Sequence, residues 1–537
     1  MHSSKPCWML LLGRSIDSRR KLFCLMNSQK YISYEQAPEV FAKLKHEGKK
    51  IVQCHGTFDL IHPGHIYHLE EAKALGDLLV VTVTADKFVS KGPGRPYFND
   101  KLRLKSLSAL ACVDYVVLIP FTAAVEAIKC VTPDIYCKGT EYSDHKNDVT
   151  GNIVDDVETV QSLGGQVRYI GSVVFSSSRL LNNHFDDMDS SIKDFCRKLA
   201  RDWTPDKFRD AVDGFKSLKV LVLGDIIFDR YSYVKVQGLT SKDRMLSGRF
   251  ISQDNQAGGS LAVYRHIKRF CDCVHLMSMV GGDDKTEYMI RNYLPEGDDL
   301  VLREKCFTTV IKERFNEPVS EGKEMSKLFS VNYIDVEPPT ADVVHRLANK
   351  LSRVIKDYDL VVVADFGHGV MQEPIRRMVE ERAPFMALNC QTNSNNHGFN
   401  IISNQYRRAD CFSLDEQELL LSSARRHIDH IRELEYLRNR FCASYAWLTR
   451  GATETIGLRA GAKPCTIPTL EAVVTDTIGA GDAFFSVASL AARQQLSSEL
   501  AAFMGQLAGA QAVRIVGNHD SISKEKLVKS GMAMLNF

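Results

Sequence analysis

Apolar positions along the chain alternate between two spacings. Residues 31–48 carry them at helical intervals, and residues 49–54 end in a short apolar run that predicts a buried strand. A polar, glycine-containing stretch, HGTFDLIHPGH from His55 to His65, then interrupts the pattern. Helical spacing resumes over about 64–75, followed by a strand run at 78–84, a helix at 99–111, and strand runs at 113–119, 135–138 and 167–170. Strands alternating with helices predict an α/β domain with a doubly wound parallel sheet. Such sheets bind ligands beyond the carboxyl ends of their strands.

The pattern lapses over residues 186–217, which are charged and lack strand spacing, so a helical linker is expected. A second α/β pattern follows, with strand runs at 219–223, 274–279, 360–364, 385–388 and 445–448 and a last long helix from about Ala480. Residues 245–335 are rich in strand-forming stretches, which predicts a small sheet or lid on the second core. No internal repeat relates the halves. The expected organisation is an extension at 1–28, a first doubly wound domain at 29–185, the linker at 186–217 and a second doubly wound domain at 218–537.

The 537 residues suffice for two or more cores, and 44% hydrophobic with 25% charged residues excludes collagenous and disordered chains. A formal net charge of +2 gives no global field, so neither a nucleic acid nor a membrane is an expected partner and any polyanion must meet a local site. Trp8 to Leu12 is too short for a signal h-region, so 1–28 reads as an irregular extension with Met26 as an alternative start, in a cytoplasmic protein. The 14 cysteines contain no CxxC pair, which leaves reduced thiols as the expectation.

HGTFDLIHPGH lies between a strand end and a helix start, where backbone amides and the helix dipole attract phosphate. His62 and His65 are placed to bond the oxygens that gain charge when an α-phosphate is attacked, and Gly56 and Gly64 let the backbone come close. At this composition HxGH should arise by chance about 0.03 times. The segment resembles the nucleotidylyltransferase superfamily with the HxGH signature. GTFDLIHPGH is similar to its cytidylyltransferase form, while KGPGRPYFNDKLRLKSLSALACVDYVV and PDIYCKGTEY resemble the adenylyltransferase half of bifunctional heptose kinase/adenylyltransferases. That resemblance implies Lys91 on the triphosphate, Gly56, Thr57, Phe58 and Asp59 in the nucleotide-binding loop, Lys138 and Gly139 beside the nucleoside, and Ser176, Ser177, Ser178 and Arg179 at a phosphate-binding helix start. Taken alone, Lys91 and Arg179 read as solvated charges; their order gives them meaning. The implied reaction is attack by a phosphomonoester oxygen on the α-phosphate of ATP or CTP, with Mg²⁺ bridging the phosphates and pyrophosphate leaving.

VVTDTIGAGDAFFSVASLAA, residues 473–492, sets a glycine-rich turn directly before a helix. Amides around Gly479, Ala480 and Gly481 are placed as an anion hole, and Asp482 as acceptor of a hydroxyl proton. The string resembles the signature of ribokinase-like (PfkB) sugar kinases, with KVLVLGDIIFDRY, AGGSLAV and LDEQE in matching order. The resemblance implies Asp225, Asp229, Gly258 and Gly259 near the acceptor, Thr449 and Gly451 on the nucleotide side, and Asp415 with Glu418 near Mg²⁺. Three features depart from the family pattern: Ala262 replaces an acceptor-side Asn, Asn389 stands where heptose kinases carry Asp, and the nucleotide-side GxxG survives only as Gly451 followed by Ala452, Thr453 and Glu454. The expected protein is a homo-oligomeric bifunctional enzyme that phosphorylates a sugar or polyol and converts a sugar phosphate into an NDP-activated sugar such as ADP-heptose, with domain order reversed relative to the heptose enzymes. The alternative is a nucleotidylyltransferase alone, its kinase-like half degenerate and serving ligand binding, regulation or oligomerisation.

Overall fold

The apolar run ending before HGTFDL forms the strand Ile51–Gly56, whose first four residues are buried. In the computed structural model the described residues are 30–89, 92, 95–140, 152–171, 189–294, 300–317, 326–335, 337–392, 398–471 and 474–537. The extension expected at 1–28 lies outside them. The chain divides into two units, one of residues 1–188 with 536–537 and one of residues 189–535.

Six parallel strands build the first sheet, in the order Tyr31–Ile32, Tyr115–Ile119, Leu78–Thr84, Ile51–Gly56, Ile135–Gly139 and Gln166–Ile170. Alternate residues of the central strands feed opposite cores. Val52, Cys54, Leu79 and Val81 pack with Leu69, Leu104 and Leu107 on one face, while Ile51, Val80 and Val117 pack with Phe41 and Val131 on the other. Burial on both faces explains why these strands read as continuous apolar runs. The winding direction reverses between Ile51–Gly56 and Ile135–Gly139, which opens a crevice at their carboxyl ends. Residues 31–48 do not form one helix. Tyr31–Ile32 pairs with Val116–Val117 as an edge strand, and the helix starts only at Ala37, with Pro38 in its first turn.

The second unit holds an eight-stranded sheet in which Cys273–Met277, Lys219–Gly224, Leu360–Asp365, Met386–Cys390, Cys411–Asp415 and Tyr445–Thr449 run parallel. Glu454–Arg459 and Cys465–Pro468 extend it antiparallel. Cys411–Asp415 and the two antiparallel strands were not expected from the pattern. Nor is the helix Ala480–Arg493 the last long one, since Ser498–Ala512 and Lys524–Met534 follow. Ser498–Ala512 is apolar almost all round and buried, so it lacks the polar stripe that marks a helix in sequence. A separate four-stranded sheet comprises Ser326–Tyr333, Val310–Glu317, Ile226–Leu239 and Leu246–Gly259. It therefore starts well before residue 245, and much of the intervening sequence returns to the main core.

The segment expected as a linker carries two helices, Ser190–Leu199 and Pro205–Asp213, that belong to the second unit. Each has an amphipathic face: Cys196, Leu199, Phe208 and Val212 are buried, and Phe208 meets Phe503 edge-on at 5.9 Å. Gly531 accepts this ring because a Cβ there would lie 2.2 Å from it. Among the described residues no helix is long and apolar enough to cross a membrane. Phe208→Ala in the full chain is expected to cost about 3–5 kcal/mol, as for large aromatic deletions from a core. Urea unfolding measures this, and a loss below about 1 kcal/mol would show that the segment is not core.

Candidate functional site

The turn after Ile51–Gly56 enters the helix Pro63–Lys73 at the crevice where the first sheet reverses. His62 is the helix N-cap with extended backbone (φ −133°, ψ 168°), and Pro63 presets the first turn. Three-residue spacing puts His62 and His65 on one side of that turn, their rings stacked at 3.9 Å and 24°. Phe58 packs against His65 at 5.3 Å from a left-handed backbone (φ 49°), rare for an aromatic residue. Gly56 makes room, since a Cβ there would lie 3.1 Å from the Phe58 ring.

Two buried charges hold this turn. Asp59 accepts hydrogen bonds from Tyr97 N and Phe98 N, both at 2.9 Å, and pairs with Arg95 at 3.7 Å, which ties the segment Arg95–Phe98 to the histidine loop. Arg103, 1% exposed, donates to Thr57 O at 2.6 Å and Thr84 O at 2.8 Å, and pairs with Asp86 and Asp100. Burial, and next the Asp86 carboxylate, push Asp100 up to about 6. Sequence reading missed Arg103, although it shares a helical face with Leu104 and Leu107. Gly64 is buried in the first helical turn. Lys138 is engaged by buried Asp156 at 3.1 Å, and Gly139 ends its strand at the crevice. His55 bonds Thr82 Oγ1 and Thr84 Oγ1 at 3.0 and 3.3 Å. Lys91, Ser176, Ser177, Ser178 and Arg179 lie outside the described residues.

In the second unit a cavity of about 1100 Å³ collects residues far apart in sequence. Gly479, Ala480, Gly481 and Asp482 line it with Asp229, Gly259, Asp415, Thr449 and Gly451. Gly479 caps the helix at φ 81°, and a Cβ there would lie 2.1 Å from Asn518 Oδ1. Gly481 has no atom within 4 Å of a built Cβ, so the turn is open on the cavity side. Asp482 is buried and accepts from Gln391 Nε2 at 3.1 Å. Burial first, then Asp229, raise it to about 7, opposed by Lys312 and Gln391. Asp229 is held by Arg314, and Gly258 leaves it room, since a Cβ there would be 2.4 Å from its Oδ2. Lys312, Arg314, Gln391 and Asn518 escaped sequence reading because segments distant in the chain deliver them: the strand Val310–Glu317, the residue after Met386–Cys390, and the turn before the helix Lys524–Met534.

Three of the expected site carboxylates, Asp225, Asp415 and Glu418, also hold backbone amides. Asp225 does not face the cavity: it is buried beneath Phe366 N, His368 N and Val370 N, all within 3.2 Å, and so shapes the 366–370 loop. Asp415 and Glu418 form a reciprocal capping box, Asp415 accepting from Glu418 N at 2.7 Å and Glu418 from Asp415 N at 2.9 Å. Glu418 also accepts from Thr392 N at 3.1 Å, so both its oxygens serve backbone amides, and burial pushes it up to about 8. Both residues line the cavity, Glu418 engaged through both carboxylate oxygens and Asp415 through Oδ1. Among the described residues no group of three or more His, Cys, Asp or Glu is arranged to hold a metal.

Residues 54–182 match the Cytidylyltransferase-like family. The bifunctional protein HldE of Azorhizobium caulinodans is 37% identical over 152 residues, which is 28% of this chain and 30% of that protein. HldE of Helicobacter pylori (strain HPAG1) is 37% identical over 133 residues, 24% of this chain and 28% of that protein. The chain thus spans about 30% of the length of these relatives. Among solved structures, phosphofructokinase-2 from Escherichia coli with substrates and products is similar at 12% identity and TM-score 0.48, over 58% of this chain and 98% of its own. Ribokinase of Arabidopsis thaliana with ribose and ATP is similar at 15% identity and TM-score 0.45, over 60% and 99%.

Arg103→Met leaves two carbonyls and two carboxylates without their donor, so a loss of about 1–3 kcal/mol is expected, with Arg103→Lys intermediate. Thermal unfolding of the full chain measures it; wild-type stability for the Met variant would remove Arg103 from the scaffold of the histidine turn.

Proposed function

We propose that the chain is a bifunctional enzyme: the first unit is a nucleotidyltransferase acting on a sugar or polyol phosphate, and the second a carbohydrate kinase. The stacked His62–His65 pair at a helix N-terminus, in the crevice of the matched domain, carries the first half of this reading. A phosphate oxygen of the acceptor forms a bond to the α-phosphorus of ATP or CTP, the bond to the bridging oxygen breaks, and pyrophosphate leaves. His62 and His65 donate to the oxygens on which charge accumulates, and the amides of the first helical turn add to that field. Asp59, accepting from Tyr97 N and Phe98 N, and Arg103, donating to Thr57 O, tie the turn to the neighbouring segment.

In the second unit the open turn Gly479–Gly481 supplies amides for the transferred phosphoryl group, and Asp482 takes the proton of the attacking hydroxyl. A carboxyl near neutrality suits that task, being free to accept a proton yet basic enough to hold it. A second reading, in which this unit binds a ligand without chemistry, is favoured by Ala262, buried in its helix where the kinase pattern has a polar acceptor contact.

His65→Ala is expected to lower pyrophosphate release from NTP and sugar phosphates by about 10²–10³-fold, as for loss of a charge-stabilising donor. A near-normal rate would end the nucleotidyltransferase assignment of this loop. For the kinase half, ADP formation with unphosphorylated sugars should rise with pH through about 7, as Asp482 loses its proton, and vanish in Asp482→Asn. Inactivity across a sugar panel would favour the ligand-binding reading.

A further inference from the structure

Asp476 sits behind the anion-hole turn, and its side chain is 1% exposed although the phosphoryl-transfer step does not use it. Four elements converge on its two oxygens. Oδ1 accepts from Lys327 Nζ at 3.0 Å and from Ile478 N at 3.3 Å, while Oδ2 accepts from Gly517 N at 3.1 Å and from the Tyr231 hydroxyl at 3.4 Å. The backbone is fixed here as well, with Thr475 N and Asp476 N both donating to Val513 O. Asn518, the neighbour of Gly517, presses on Gly479, so one loop shapes both ends of the turn.

Lys327 and Tyr231 both belong to the four-stranded sheet. Three of the four donors are neutral. Lys327 brings the formal positive charge into direct contact, whereas Arg314, held on Asp229, acts on Asp476 only from longer range. A carboxylate this buried is costly unless its charge is balanced.

We propose that Lys327 is a positioning residue of the second site: by balancing Asp476 it fixes the turn 476–482, which carries the Gly479–Gly481 amides and Asp482, and couples that turn to the four-stranded sheet. The consequence for catalysis rests on the kinase reading; the mechanical coupling does not.

The test uses the full chain with Lys327→Met, Lys327→Gln and Lys327→Arg. The lysine side chain is 52% exposed, so the variants should fold, and amide exchange over the strand Leu360–Asp365 serves as a folding control. Exchange over 474–482 should quicken by about tenfold in the Met and Gln variants and stay within about twofold of wild type in the Arg variant. Ammonium chloride, small enough to reach Asp476, should reverse the change, and tetramethylammonium chloride at equal ionic strength should not. Phosphoryl transfer should lose about tenfold in kcat with the KM of the acceptor within about twofold. Unchanged exchange over 474–482, or equal rescue by both salts, overturns the proposal. An exchange response in a wild-type protein that phosphorylates no sugar would sink the kinase reading and leave the coupling standing.

Discussion

A buried carboxylate that accepts backbone amides is the interaction on which both candidate sites depend. A turn that offers its own N–H groups to a ligand cannot use them to hold itself, so something else must grip its flanks. Asp59 does this in the first unit through Tyr97 N and Phe98 N. Asp225 and Asp476 do it in the second, through the 366–370 loop and through Ile478 N and Gly517 N. Satisfied amides make such burial tolerable, and the resulting loops hold their shape before any ligand arrives.

The same requirement explains what the sequence displayed and what it concealed. Ile51–Gly56, Leu78–Thr84 and Leu360–Asp365 are buried on both faces, and an apolar run bounded by turns announces such strands directly. HxGH and GAGD stood out because a ligand-facing turn needs its special residues within a few positions of one another. Their supports did not. Arg103 lies 46 residues from Thr57, and Gln391 lies 91 from Asp482, separations that only the sheet order closes. The backbone roles of Asp225 and of the Asp415–Glu418 pair were hidden for a related reason: a carboxylate in a motif has the same appearance whether it faces a ligand or caps backbone.

Electrostatics separates the two sites. In the first, the charged groups that grip the turn are mutually paired, Asp59 with Arg95 and Arg103 with Asp86 and Asp100, so the histidines work beside balanced scaffolding. In the second, Asp482 shares its cavity with Asp229 and Lys312, and its affinity for a proton is set by the contest between burial and like charge on one side and lysine and Gln391 on the other. A site of that kind responds to whatever fills it. An anion entering near Asp482 adds like charge and strengthens its hold on a proton.

The four-stranded sheet matters to that balance because it supplies Asp229, Lys312 and Arg314 to the cavity and two partners to Asp476. Val310–Glu317 supplies Lys312 and Arg314, Ile226–Leu239 supplies Asp229 and Tyr231, and Ser326–Tyr333 supplies Lys327. Displacing this sheet from the cavity would remove Lys312 from Asp482 and Arg314 from Asp229 together, and would take Lys327 from Asp476. A buried carboxylate stripped of its cation either takes up a proton or loosens its surroundings. Placement of the sheet and charge at the Asp482 carboxyl are therefore one variable, because the same strands supply the groups that set it.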